Sequence, residues 1–161
     1  MTSIGEDAFR NCTGLLSVII PASVTNIGEC AFIYCEALTS VTIPENVTNI
    51  EGMTFYRCSK LESITIPESV TSIDNYAFAY CTGLTSVAIP ESVTSIGRET
   101  FYGCSRLESI TIPKSVKTIG AWALHNTAWY SNQDDGVIYL GKLFYGYKGY
   151  ICLLYTSDAA D

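Results

Sequence analysis

The 161-residue sequence predicts a mainly β solenoid of 23-residue coils, and three observations carry that prediction. Leucine recurs every 23 residues, at Leu15, Leu38, Leu61, Leu84 and Leu107. Proline follows each leucine by six residues, at Pro21, Pro44, Pro67, Pro90 and Pro113. Cysteine precedes each by three, at Cys12, Cys35, Cys58, Cys81 and Cys104. A fixed period of this length marks coils too small to bury their own apolar face, which complete a core by stacking.

Each part of the coil follows from its residues. Leu84, Val87 and Ile89 face inward and alternate with outward Ser86 and Ala88, the spacing of a strand with one buried face. A parallel sheet is therefore expected from residues 15–20, 38–43, 61–66, 84–89 and 107–112. Pro90 ends its strand, because its ring fixes φ and removes a ladder donor. Ser92, and Asn46 in the same column, are suited to bonding nearby backbone in a turn. Val93 and Ile96 point inward from a second short extended segment. Thr100, Phe101 and Cys104 have the i, i+1, i+4 spacing of one helical turn, which places Phe9, Phe32, Phe55, Phe78 and Phe101 in one buried row. The corner column holds Gly5, Gly28, Gly97 and Gly120 but also Glu51 and Asp74, so a strictly left-handed backbone is not expected there.

The pattern Leu-x-Ser-Val/Ile-x-Ile-Pro-x-Ser-Val-x-x-Ile-Gly-x-x-Ala-Phe-x-x-Cys resembles the BspA-type leucine-rich repeat, over residues 1–126. The resemblance implies a leucine-rich-repeat solenoid with a parallel sheet, a short extended segment and one helical turn per coil. It also implies a surface or secreted bacterial protein that acts as an adhesin or partner-binding module, without enzymatic activity.

The repeat breaks after Leu124, where Thr127 replaces the cysteine and Tyr130 the leucine. Asp135-Gly136 is a turn signal, and residues 137–140 and 143–147 read as two strands joined at Gly141-Lys142. Residues 127–151 thus form an aromatic β-hairpin module, expected to cover part of the open end of the stack. Residues 152–161 resemble a translated sequencing-adapter scar and are read as a non-native tail. Met1-Thr2-Ser3-Ile4 aligns with Val93-Thr94-Ser95-Ile96, so the chain reads as a fragment cut at both ends.

The chain is acidic, with a net charge of −7, or −5 once Asp158 and Asp161 of the tail are set aside. No Lys/Arg cluster tracks one face, so nucleic acid is not expected as a partner. No apolar run reaches the roughly 18–20 residues of a membrane span, so no membrane insertion is expected within the fragment. The five ladder cysteines lack the paired spacing of structural zinc ligands and read as buried small hydrophobes that stay reduced. Cys30 shares a column with Asp7, Met53, Tyr76, Glu99 and Trp122, which suggests an exposed and more reactive thiol. The one histidine, His125, reads as a surface residue, so no catalytic triad or dyad is expected. Asp134-Asp135 reads as a polar turn, the column Glu45, Glu68 and Glu91 as a solvated edge, and no cofactor or metal is expected.

The outward strand positions form the candidate binding surface: Ser40, Thr42, Glu62, Ser63, Thr65, Thr85, Ser86, Glu108, Ser109 and Thr111. Repeat proteins bind partners on such extended faces. The serine recurs in every coil, which also suits a packing or hydrogen-bonding ladder. The expected function is a non-enzymatic interaction or adhesion module that binds a host or bacterial surface protein along this face. The alternative is a structural spacer projecting another domain from the cell surface.

Overall fold

Residues 1–140 and 143–148 are described by a computed structural model, and the 23-residue period becomes one coil per repeat. A coil contributes an extended segment on one face, which is a strand in all but the third, then an extended dipeptide at the next corner and a run of turns. The strand face is formed by β2 (Ser17–Ile19), β4 (Ser40–Thr42), β7 (Ser86–Ala88) and β9 (Ser109–Thr111). Pairing is parallel and in register with the repeat, Ser17 beside Ser40 and Ser86 beside Ser109. The third coil departs from expectation: its segment 61–66 joins the sheet through a single bridge from Thr42 to Thr65, and no ladder connects it to β7 among the described residues.

The second face is built from the dipeptides β1 (Ser3–Ile4), β3 (Asn26–Ile27), β5 (Asn49–Ile50), β6 (Ser72–Ile73), β8 (Ser95–Ile96) and β10 (Thr118–Ile119). Among the described residues the pairings on this face are parallel: β1 with β3, then β5, β6, β8 and β10 in sequence. The missing link, between β3 and β5, lies where Glu51 stands in the glycine column. That column has no positive φ, as its Glu and Asp members suggested. Glycine is used there for close approach, since a Cβ on Gly28 would meet Glu6 N at 2.6 Å and one on Gly97 would meet Asn75 N at 2.6 Å. Asp74 in the same column keeps its ladder, its N–H donating to Ile50 O at 2.9 Å, so a side chain at this corner does not by itself open the pairing.

The expected helical turn is absent, and its replacement is a chain of tight turns. Ala31 N donates to Gly28 O at 3.2 Å, Ile33 N to Cys30 O at 3.1 Å and Cys35 N to Phe32 O at 3.1 Å. The intervening donors turn outward to the next coil: Cys30 N to Gly52 O at 3.0 Å, Phe32 N to Thr54 O at 2.9 Å and Tyr34 N to Tyr56 O at 2.9 Å. An α-helix would return each of these N–H groups to the carbonyl four residues back. Sharing them between neighbours requires left-handed residues, and two columns supply them. One runs Asp7, Cys30, Met53, Tyr76, Glu99 and Trp122, the other Asn11, Tyr34, Arg57, Tyr80, Gly103 and Asn126. Positive φ at the third position of a tight turn is the geometry that favours Gly and Asn.

Inside, Phe9, Phe32, Phe55, Phe78 and Phe101 stack with centroids 5.0–5.5 Å apart and planes within 7°. Four of them are fully buried, while Phe9 at the first coil is only partly covered. The ladder thiols lie beside this row. Cys35, Cys58, Cys81 and Cys104 are buried, and their Sγ atoms donate to Phe9, Phe32, Phe55 and Phe78 carbonyls at 3.1–3.3 Å. They remain free thiols. A weak S–H donor on a small apolar group suits a site that must fill space and satisfy one carbonyl.

Residues after the last cysteine position pack against the last coil, Trp129, Leu140 and Tyr145 joining the core. Thr127 is buried, and its hydroxyl donates to Leu124 O at 2.7 Å while accepting from Tyr130 N at 3.0 Å. It thereby caps the short helix α1 (Ala128–Ser131). The hairpin follows as β11 (Gly136–Leu140) and β12 (Leu143–Lys148), antiparallel. Leu140 enters the core, Tyr145 packs on it and accepts from Leu124 N through its hydroxyl, and the Lys148 ammonium donates to Ser131 and Gln133 carbonyls. The Gly141-Lys142 joint and the tail 152–161, with Cys152, lie outside the described residues.

Candidate binding surfaces

The strand face carries all ten sequence-selected residues, from Ser40 to Thr111, and every one is exposed. Ser40 and Thr42 lie on β4, Ser86 on β7, Ser109 and Thr111 on β9 and Thr65 in the bridge from Thr42, so these side chains project outward by strand alternation, whereas Glu62, Ser63, Thr85 and Glu108 lie outside the strands. The serine column does not form a hydrogen-bonding ladder. The hydroxyls of Ser40, Ser63, Ser86 and Ser109 make no hydrogen bond to another described residue. Hydroxyl ladders run in other columns, with Thr39 donating to Leu16 O at 3.0 Å, and Thr71 to Thr48 O and Thr94 to Thr71 O at 3.3 Å.

Where the ladder opens between the third and fourth coils, a shallow groove of about 310 Å³ forms. Ile64, Thr65, Ala88 and Ile89 line it, and Glu68 and Glu91 stand at its rim. Leu16 and Ile19 place exposed apolar groups on the first coil, Ile19 being 91% exposed where later coils have Thr or Ala.

The turn face holds a second surface that sequence reasoning missed. Tyr34, Tyr56, Tyr80 and Tyr102 touch edge to face, with centroids 5.5–5.6 Å apart and planes at 70–81°. They alternate between two neighbouring columns, so no single column of the repeat shows four tyrosines. The guanidinium of Arg57 lies 5.9 Å from the Tyr34 and Tyr56 ring centres and 5.2 Å from that of Tyr80. Farther along, Arg98 sits 5.1 Å over Trp122 and pairs with Glu99 at 2.9 Å, while Tyr76 donates to Glu99 at 3.1 Å. The Asn, Gly and Asn at positions 11, 103 and 126 were the available signal for left-handed backbone in this region.

Several side chains differ from expectation. His125 is partly covered instead of exposed: it stacks on Tyr130 at 4.3 Å, its Nδ1 is buried without a hydrogen-bond partner among the described residues, and burial lowers its pKa. The turn column bonds across coils instead of locally, Asn46 Nδ2 donating to Ala22 O at 3.0 Å and Ser69 to Val47 O at 2.6 Å. Ser92 Oγ in the same column is buried without a partner among the described residues. Cys30 is half-buried, and burial together with the carboxylates of Asp7 and Glu29 raises its pKa, which opposes thiolate reactivity. Burial pushes Cys35 up to about 11 and Cys104 up to about 12. Asp134 and Asp135 are exposed, and the described residues contain no group of three or more His, Cys, Asp or Glu placed to hold a metal ion.

The family model described as "BspA type Leucine rich repeat region" matches residues 2–129 in six copies. The chain belongs to the BspA-type leucine-rich-repeat family. Solved structures agree with this BspA-type solenoid. A leucine rich repeat protein of T. pallidum superposes with a TM-score of 0.68 at 28% identity, over 74% of this chain and 63% of that one. A "leucine rich cell surface protein" of Faecalibacterium prausnitzii A2-165 gives 0.66 at 35% identity, over 78% and 40%. A leucine-rich repeat protein of Eubacterium ventriosum gives 0.71 at 26% identity, over 77% and 34%. The chain therefore spans 63% or less of the length of these neighbours. Comparison with curated proteins gave no match. No helix among the described residues is long and apolar enough to cross a membrane.

Proposed function

We propose that this solenoid is a non-catalytic protein-interaction module of a surface or secreted bacterial protein, binding a partner along its strand face. The observation that carries the reading is the row of exposed hydroxyls and carboxylates on a fixed backbone, with serines that no described residue engages. Such a face offers many hydrogen bonds and little apolar area, so each coil contributes modestly and avidity grows with coil number. The surface location draws support from the neighbour at 35% identity whose description is a cell surface protein. The sameness of the serine column from coil to coil favours a second reading, a spacer that projects another domain.

Immobilised chain, offered a panel of purified host extracellular-matrix proteins, separates the two. Retention of one of them that is lost in the triple variant Thr42→Lys, Thr65→Lys, Thr111→Lys supports the strand-face module. Retention that survives the triple change moves the contact to another face, and no retention by a longer array of coils favours the spacer.

A further inference from the structure

The turn face carries a contact of its own that indicates what the surface accepts. Three arginines lie there, and each is held differently. Arg10 pairs with Asp7 at 2.9 Å, and Arg98 pairs with Glu99 while lying over Trp122. Arg57 has no described carboxylate partner; its exposed guanidinium rests against the rings of Tyr34, Tyr56 and Tyr80, which are themselves half-buried. Backbone geometry does not account for an arginine there, because Arg57 has φ of 59°, a conformation that favours Gly or Asn. Ring faces carry negative potential, and partial desolvation strengthens their attraction for a cation. The chain as a whole is acidic, with a net charge of −7.

We propose that the ridge of Tyr34, Tyr56, Tyr80 and Tyr102 docks an arginine-bearing segment of a partner protein, with Arg57 as the built-in occupant that such a segment displaces or extends. Charge complementarity selects the partner: an acidic chain with half-buried tyrosine rings favours a basic segment and repels an acidic one. The planar guanidinium stacks on aromatic faces better than a hydrated ammonium, so arginine is preferred over lysine. Tyr102 continues the ridge beyond Arg57 and has no cation seated on it among the described residues, which leaves room for a second guanidinium. This surface is separate from the strand face, so either assignment can fail alone.

The test is fluorescence polarisation of the whole chain with three labelled peptides of identical length, bearing two arginines, two lysines or two citrullines. The expected order is arginine over lysine over citrulline, with the neutral citrulline peptide weaker by about tenfold. Tyr56→Leu with Tyr80→Leu removes the preference while circular dichroism shows the solenoid intact. Arg57→Gln vacates the rings and tightens arginine-peptide binding several-fold. The acidic-column variant Glu45→Gln, Glu68→Gln, Glu91→Gln retains binding, with the order arginine over citrulline intact. Equal affinity for citrulline, loss of binding in Arg57→Gln, or loss in the glutamate variant would each overturn the proposal. The last two would place the contact on an anion at Arg57 or on the acidic edge.

Discussion

On the strand face the outward side chains stand apart from one another, whereas on the turn face they touch from coil to coil. Ser40, Ser63, Ser86 and Ser109 project as separate hydroxyls, while Tyr34, Tyr56, Tyr80 and Tyr102 form a continuous edge-to-face ridge. The cause is the backbone beneath them. In a strand the ladder consumes the N–H and C=O groups, and side chains alternate cleanly between core and solvent. On the turn side, alternate N–H groups bond within the coil and to the next one, and left-handed residues carry large side chains across the coil boundary. One face is therefore free to vary without loss of stability, and the other is part of the stack.

Substitutions that rank the core and the two faces would sharpen or break that contrast. The largest effect belongs to the row both faces share. Phe55→Ala should cost about 3–5 kcal/mol, since Phe55 is fully buried between Phe32 and Phe78. Denaturant unfolding should show either that loss or no folded baseline, and a loss below about 1 kcal/mol would contradict stacking as the source of cohesion. On the turn face, Tyr56→Ala removes contacts to both Tyr34 and Tyr80 and should cost about 1–3 kcal/mol. An unchanged melting temperature in that variant would erase the distinction between the faces.

Alkaline pH probes the thiols behind the turns. Burial raises Cys35 from 9.0 to about 11 and Cys104 to about 12, so the folded state holds these protons more tightly than the unfolded state. Their contribution is fully present below about pH 9 and is lost as the pH rises through the folded values. Melting temperatures measured from pH 7 to 11 should fall along that limb, and Cys35→Ala with Cys104→Ala should flatten it. An unaltered slope would show that other groups govern it. The smallest effect belongs to the strand face, where Thr42→Lys, Thr65→Lys and Thr111→Lys together should shift stability by about 0.5 kcal/mol per site or less. A marked drop in the melting curve would show that these side chains support the stack.

The parts legible in sequence are those with a fixed period of inward side chains. Leu84, Val87, Ile89 and the proline after them specify a strand whatever lies next to it, and the phenylalanine column specifies the core row. The turn run is not legible in this way, because i, i+1, i+4 spacing describes which side chains face inward and is silent on where the N–H groups go. Bonds from Cys30 and Tyr34 to the next coil are a property of the stack, invisible in one repeat. The corner glycines were read correctly as lacking left-handed geometry, but their true constraint, close approach of Gly28 and Gly97 to the coil beneath, is again between coils. The tyrosine ridge escaped notice for the same reason, since its members alternate columns and meet only when coils are superposed. His125 looked solitary in its column because its companions, Tyr130 and Tyr145, come from beyond the repeat.

The alternation of N–H bonds also determines how the molecule responds to force. The bonds from one coil to the next at the turns run broadly along the stacking axis, as do the parallel ladders on the other two faces. A pull on the two chain ends concentrates its load on a terminal coil, which can tear away while its neighbours keep their own bonds. Each coil released in this way adds 23 residues of chain, about 75 Å of extension at ~3.3 Å per residue. A row of such coils yields in steps, as a tether that lengthens under load, and the stack that remains is still a solenoid with the same two faces.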